Sequence, residues 1–253
     1  MRPDPFSWSL HLDALAGVAL LVGAYAYAVR RHPAPGWRLA CFTAGAALLV
    51  VIAVSPLDSL SFHLLTAHLL QNVVLAEWAP ALVVLGLSPA LAAALARHRP
   101  VRMLTMPFVA LPLWLATYFL WHLPLAYDTA LRHPATLLHV EHASYFATGV
   151  LMWWPALHDA PWRLSAQARA GYLFAAFVLS SPLGLLLLLL PNAVYEFYEG
   201  GFPEWGLSAL KDQQLGGITM ASEQAVVFFA AFAVLFARFL REEERRGPET
   251  ALP

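Results

Sequence analysis

Ser61-Phe-His-Leu-Leu-Thr-Ala-His-Leu-Leu-Gln-Asn-Val-Val74 decides how this chain is read. It lies inside an apolar run long enough to cross a membrane, yet it carries His63, His68, Gln71 and Asn72. On a helix of 3.6 residues per turn, His68, Gln71 and Asn72 stand at i, i+3 and i+4 and share one face. Lipid cannot solvate such a stripe, so it must face protein, water or a metal. The rest of the sequence is read for what meets it.

Composition places the whole chain in a membrane. Apolar residues make up 60% of the 253, charged residues 12%, and mean hydropathy is +0.61; soluble domains carry about 25% charged residues. The single cysteine, Cys41, excludes an internal disulfide and any paired-thiolate site and reads as a small buried hydrophobe. Ala14–Gly23 followed by Ala24-Tyr25-Ala26 imitates a signal peptide. Asp4 and Asp13 leave no positive leading region, however, and Arg30-Arg31 follow at once, so this segment reads as the first transmembrane helix.

Apolar segments able to span about 30 Å of hydrocarbon run over 11–29, 37–54, 60–86, 104–122, 136–157, 169–190 and 213–238. The expected fold is therefore all-α: one transmembrane domain over 1–253, a bundle of seven helices with a tail at 239–253. Pro80 and Pro182 fall inside two of the segments, where a proline can kink a helix. Orientation follows from the basic residues. Arg30, Arg31, Arg38, Arg97, Arg99, Arg102, Arg163, Arg169, Arg238, Arg241, Arg245 and Arg246 fall on one side, against Arg2, Arg132 and Lys211 on the other. That asymmetry puts the N-terminus outside and the tail in the cytoplasm. It also accounts for the arginines without a nucleic-acid partner.

Depth can then be counted at 1.5 Å per residue. The third segment enters from outside near Asp58, placing His68 about 12–15 Å in. The fourth ends outside at Trp121-His122-Leu-Pro124, where the proline closes the helix. His139 and His142 in the fifth lie about 7 and 12 Å deep, and Met220 in the seventh about 12 Å. Four helices thus bring His or Met to the outer half of the membrane. Imidazoles in this number, with a thioether and no thiolate, suit copper and, less specifically, zinc or haem iron. The candidate ligands are His68, His122, His142, His139 and Met220; Gln71, Asn72, Glu141, Asp212 and Gln214 are candidates to orient them. A hydrogen-bonded polar core is the alternative for the same residues.

Other residues have plainer readings. His63, and His11, His32, His98, His133 and His158 in terminal or connecting segments, read as interfacial or hydrogen-bonding residues. Trp121, Trp153-Trp154 and Trp205 read as interfacial anchors. Glu77 and Glu223, inside apolar helices, are either a proton or ion path or neutral carboxyls bonding between helices. The outer connection 191–212, with Tyr195, Glu196, Tyr198, Glu199, Gly200-Gly201 and Trp205, suggests a lid or a docking surface, or a loop held at the interface by its aromatics. No nucleophile–base pair or phosphate-binding glycine loop argues for an enzyme.

At these residues the chain resembles the CtaG-type cytochrome c oxidase assembly factors. The resemblance covers roughly residues 55–240. It rests on Ser55-Pro-Leu-Asp58, Ala67-His68-x-x-Gln71, Ala79-Pro80 with Leu85-Gly86, and Trp121-His122-x-Pro124. Tyr127-Asp128, Glu141-His142, Trp153-Trp154-Pro155 and Asp212-Gln213-Gln214-Leu-Gly-Gly217 with Met220 complete it. The family's usual second histidine after Gln71 is here Asn72. The family's usual aromatic and Pro-Gly after Met220 are here Ala221-Ser222-Glu223-Gln224, and Glu77 stands where the family is usually apolar. The resemblance implies a multi-pass protein of a bacterial inner membrane that assists assembly of a respiratory oxidase. Binding or delivery of copper at the outer face is the expected activity, with an oxidase subunit or copper donor as partner and lipid around it. A haem-binding electron-transfer protein and a metal-free scaffold are the competing expectations.

Overall fold

The structure, a computed structural model, describes residues 3–246. Arg2 and the tail beyond residue 246 lie outside the described residues. Within them every named element is a helix, with one isolated bridge between Phe202 and Leu207. Helices α1 (Leu12–Arg31), α2 (Gly36–Val54) and α3 (Pro56–Ser61) come first. Next, α4 (Leu65–Val73), a π-helical turn (Val74–Trp78) and α5 (Ala79–Gly86) form one continuous rod. Short α6 (Pro89–Leu95) and α7 (Arg99–Leu104) lead to α8 (Pro107–Trp121) and α9 (Pro124–Arg132). A second π turn (Pro134–Leu138) opens α10 (His139–Leu157), and α11 (Ala166–Leu189) and α12 (Ala209–Arg246) close the bundle.

The rod α4–α5 is the axis of the molecule. In Leu65–Gly86, 78% of the membrane-length window is buried, against none in α1. Its first half packs on α12, its second half on α2, and its flank on α10, while α1 lies outermost against α2. The expected third segment began at residue 60. The rod instead starts at Leu65, because the chain breaks over Phe62–Leu64 after the short α3. Asp212 from the start of α12 makes that break affordable. Its carboxylate accepts from Leu65 N (2.6 Å), Thr66 N (3.1 Å) and Thr66 Oγ1 (2.7 Å), capping the free amides of the α4 N-terminus.

Pro80 does not kink the rod sharply; the π turn just before it absorbs the conflict. A proline ring crowds the carbonyl four residues back, here Ala76, and the widened turn relocates that carbonyl. It then faces Gly149 of α10, where an added Cβ would meet Ala76 O and Pro80. Glycine at 149 is what lets α10 come this close. At the α11–α12 seam, a Cβ on Gly217 would lie 2.6 Å from Gly184 O, so backbones meet there as in other small-residue helix pairs.

Among the described residues, five helices can cross a membrane by length and composition: Leu12–Arg31, Gly36–Val54, Leu65–Gly86, Ala166–Leu189 and Ala209–Arg241. α8 reaches a sixth crossing only together with α9, across a 72° bend. α10 is outside this set, and its opening His139, Glu141 and His142 explain why. Trp153 and Trp154 are not interfacial anchors: Trp153 stacks on Phe228 at 5.6 Å and Trp154 donates to Ala160 O at 2.6 Å, both buried. Cys41 is only partly buried.

Candidate functional site

The polar face of α4 points into the bundle. His68, Gln71 and Asn72 are fully buried, and Glu141 from α10 meets them. Asn72 Nδ2 donates to Glu141 Oε1 at 3.0 Å, and His68 Nε2 lies 3.5 Å from the same oxygen, too far for a good hydrogen bond. The His68 and His142 rings stand nearly edge to face, with centroids 6.0 Å apart. His122 reaches the group from the C-cap of α8. Tyr127 links it to the others, its ring 4.9 Å from His68 and 5.9 Å from His122. All three imidazoles lie within electrostatic reach of Glu141.

One ring nitrogen, Nδ1, is fixed in each of two imidazoles. Tyr198 donates its hydroxyl proton to Ser61 O and sits 3.3 Å from His68 Nδ1, so it receives the Nδ1–H of His68. His122 Nδ1–H donates to Tyr118 O at 2.7 Å, with Tyr145 OH 3.2 Å away. Both tautomers therefore leave the lone pair on Nε2. The Nε2 atoms of His68, His122 and His142 are buried and lack hydrogen-bond partners, as does Glu141 Oε2. Buried polar atoms are rarely left unsatisfied. An imidazole held through one ring nitrogen with the other free is the state in which histidine binds a metal. The donor types are ones that copper and zinc accept, although among the described residues only His11, Asp13 and His139 bring three ligand atoms within 4.8 Å of one another.

The remaining expected site residues are placed differently. His139 is 3 residues from His142 on α10 but lies at the edge of the bundle, its Nδ1 3.0 Å from Asp13 Oδ2. Met220 is buried in the apolar core beside Gly184 of α11. Asp212 caps α4 rather than orienting an imidazole. Its neighbour Gln213, not Gln214, is the buried glutamine: it donates to Leu187 O and Asn192 O and accepts from Val194 N at 2.8 Å. Gln71 is at the core, with both side-chain polar atoms unpartnered. His63, His133 and His158 each bond a backbone carbonyl.

The connection after α11 folds inward as a cover. Tyr195 and Tyr198 are buried; Tyr195 stacks on Tyr127 at 4.1 Å and donates to His122 O at 3.1 Å. Asp128 of α9 holds the cover down by accepting from Glu196 N (3.1 Å) and Phe197 N (3.0 Å). The tyrosine surround (Tyr118, Tyr127, Tyr145, Tyr195 and Tyr198) was not singled out by sequence, since each tyrosine alone reads as packing. Only Tyr127-Asp128 and the aromatic pattern of 191–212 pointed to it. Deeper in the rod, Gln224 Nε2 bridges Glu77 Oε1 (2.8 Å) and Tyr118 OH (2.9 Å), and Trp78 donates to Glu223. The two carboxyls thus bond between helices.

Fold and site define a multi-pass helical membrane protein built round a buried imidazole–carboxylate core. Over residues 21–242 the chain matches the family described as cytochrome c oxidase caa3 assembly factor. It belongs to that family. No curated protein and no solved structure matches the chain.

Proposed function

We propose that this assembly factor holds copper as cargo on His68, His122 and His142 for an oxidase under construction. The observation that carries this reading is the set of three buried Nε2 atoms without partners, two of them preset by hydrogen bonds at Nδ1. Copper accepts imidazole readily, and a metal would supply the one interaction each Nε2 lacks. Glu141 balances the charge of the bound ion, while Asn72 and Tyr198 hold the carboxylate and one ring in place. In this reading α8 and α10 also cross the bilayer, giving seven crossings. The basic residues then put the imidazole end outside a bacterial inner membrane and the tail in the cytoplasm.

Metal analysis of the purified protein, with and without reductant, tests the proposal. Bound copper should fall sharply in each of His68→Ala, His122→Ala and His142→Ala. Unchanged copper stoichiometry in all three overturns it, and a Soret band from the isolated protein would assign the imidazoles to haem instead.

A further inference from the structure

A second group of imidazoles stands apart from the buried core. His11 at the N-cap of α1, Asp13 in its first turn and His139 at the start of α10 each offer one ligand atom, and these atoms lie within 4.8 Å of one another. They come from distant parts of the sequence, so the chain must bring α1 against α10 to assemble them. The group, its side chains part-exposed, forms the mouth of a cavity of ≈ 760 Å³ between α1, α2 and α10 that His142 also lines.

We propose that His11, Asp13 and His139 form a capture site for a borderline divalent cation, with copper(II) or zinc as the fitting ions. Two imidazoles and one carboxylate are the donor set such ions prefer, while magnesium and calcium call for oxygen cages. Asp58 completes the case. Its Oδ2 lies 2.9 Å from His11 Nε2 and accepts that N–H, leaving the lone pair on Nδ1, the carboxylate–histidine arrangement that orients a metal ligand. A second observation points the same way. His142, whose Nε2 is buried without a partner, lines the same cavity and stands 6.0 Å, ring to ring, from His68. One helix, α10, therefore carries two imidazoles that line the cavity, His139 in the part-exposed group and His142 with its Nε2 buried. The site's affinity for a cation stands by itself; its role as a first station for cargo rests on the copper reading of the inner imidazoles.

The test uses the full chain in detergent, with copper(II) as probe and electron paramagnetic resonance as readout. Bound copper(II) should show coupling to two imidazole nitrogens. A His11→Gln/His139→Gln double variant should weaken copper(II) binding by at least about tenfold, and Asp13→Asn should weaken it less. Glutamine at 11 keeps a donor for Asp58, so folding should survive; matching thermal unfolding to the parent protein checks this. His68→Ala should leave the copper(II) signal of the mouth in place. Undiminished affinity and coupling in the folded double variant overturn the site. Loss of mouth binding with no effect of His68→Ala or His142→Ala on copper retained under reductant upholds the capture site and removes its link to an inner station.

Discussion

Asn72 donates to the same carboxylate oxygen of Glu141 that His68 approaches, at 3.0 Å and 3.5 Å respectively. That amide is the hydrogen-bond donor to the buried carboxylate. Asn72→Ala removes that donor and leaves the buried Glu141 carboxylate without one. The expected cost is about 1–3 kcal/mol, read by unfolding in detergent. Asn72→His puts an imidazole at i+4 from His68, and copper affinity should rise by roughly tenfold or more. A variant that binds copper no better than the parent would show that this face of α4 does not meet the ion.

Gln224 joins α12 to the rod through Glu77 and to α8 through Tyr118. Gln224→Leu strips the Glu77 carboxyl of its donor, and its other oxygen is already unpartnered. The loss should be about 1–3 kcal/mol. Replacing both partners, as in Glu77→Leu/Gln224→Leu, should recover most of it, since no polar atom of the pair is then stranded. Unfolding midpoints of the four-member cycle decide the matter. A double variant no more stable than either single one would point to a role for Glu77 beyond the bridge.

Much of this architecture was legible in the residues. The polar stripe on α4 faces the core because hydrocarbon offers it no partner, and Glu141-His142 meets it for the same reason. Depth counting brought His68 and His142 together and set His122 at a helix end, where Pro124 stops α8. What it could not resolve was rotation about a helix axis. His139 and His142 are 3 residues apart, yet one looks outward to Asp13 and the other inward to His68. The break at Phe62–Leu64 also escaped a hydropathy reading, because only Asp212, far along the chain, stabilises the amides it frees. The tyrosine cover depends on how 191–208 folds back, which no periodicity encodes.

Orientation admits a direct test. The excess of arginine on one set of connections predicts a cytoplasmic tail. A C-terminal alkaline phosphatase fusion should be inactive and a fluorescent-protein fusion bright. Activity of the phosphatase would invert the protein and put both imidazole groups at the inner face.

The close approach of α10 to the π turn gives a packing prediction. A Cβ at Gly149 would run into the Ala76 carbonyl and Pro80, and backbone cannot swing aside as a side chain can. Gly149→Ala should cost about 1–3 kcal/mol and shift Glu141 and His142, which lie two turns earlier on the same helix. Unfolding and copper stoichiometry should therefore move together. A neutral substitution would mean that the two helices stand further apart than the structure has them.

Asp128 offers the sharpest test of the cover. Its carboxylate accepts from two consecutive amides, Glu196 N and Phe197 N, and so anchors the turn that sets Tyr195 over Tyr127 and Tyr198 beside His68. Asp128→Ala leaves both amides without that acceptor, while the tyrosines keep their own contacts. The cover should then open more often without the bundle unfolding. Proteolysis within 191–208 should accelerate, and exchange of bound copper with a chelator should speed up by about tenfold, a local opening made roughly 1.4 kcal/mol easier. Tyr198→Phe separates this effect from ligand orientation. It removes the partner of His68 Nδ1 but keeps the ring, so it should weaken copper binding with little change in proteolysis. If Asp128→Ala leaves both cleavage and exchange unchanged, the connection is held by its aromatics alone and does not gate the site.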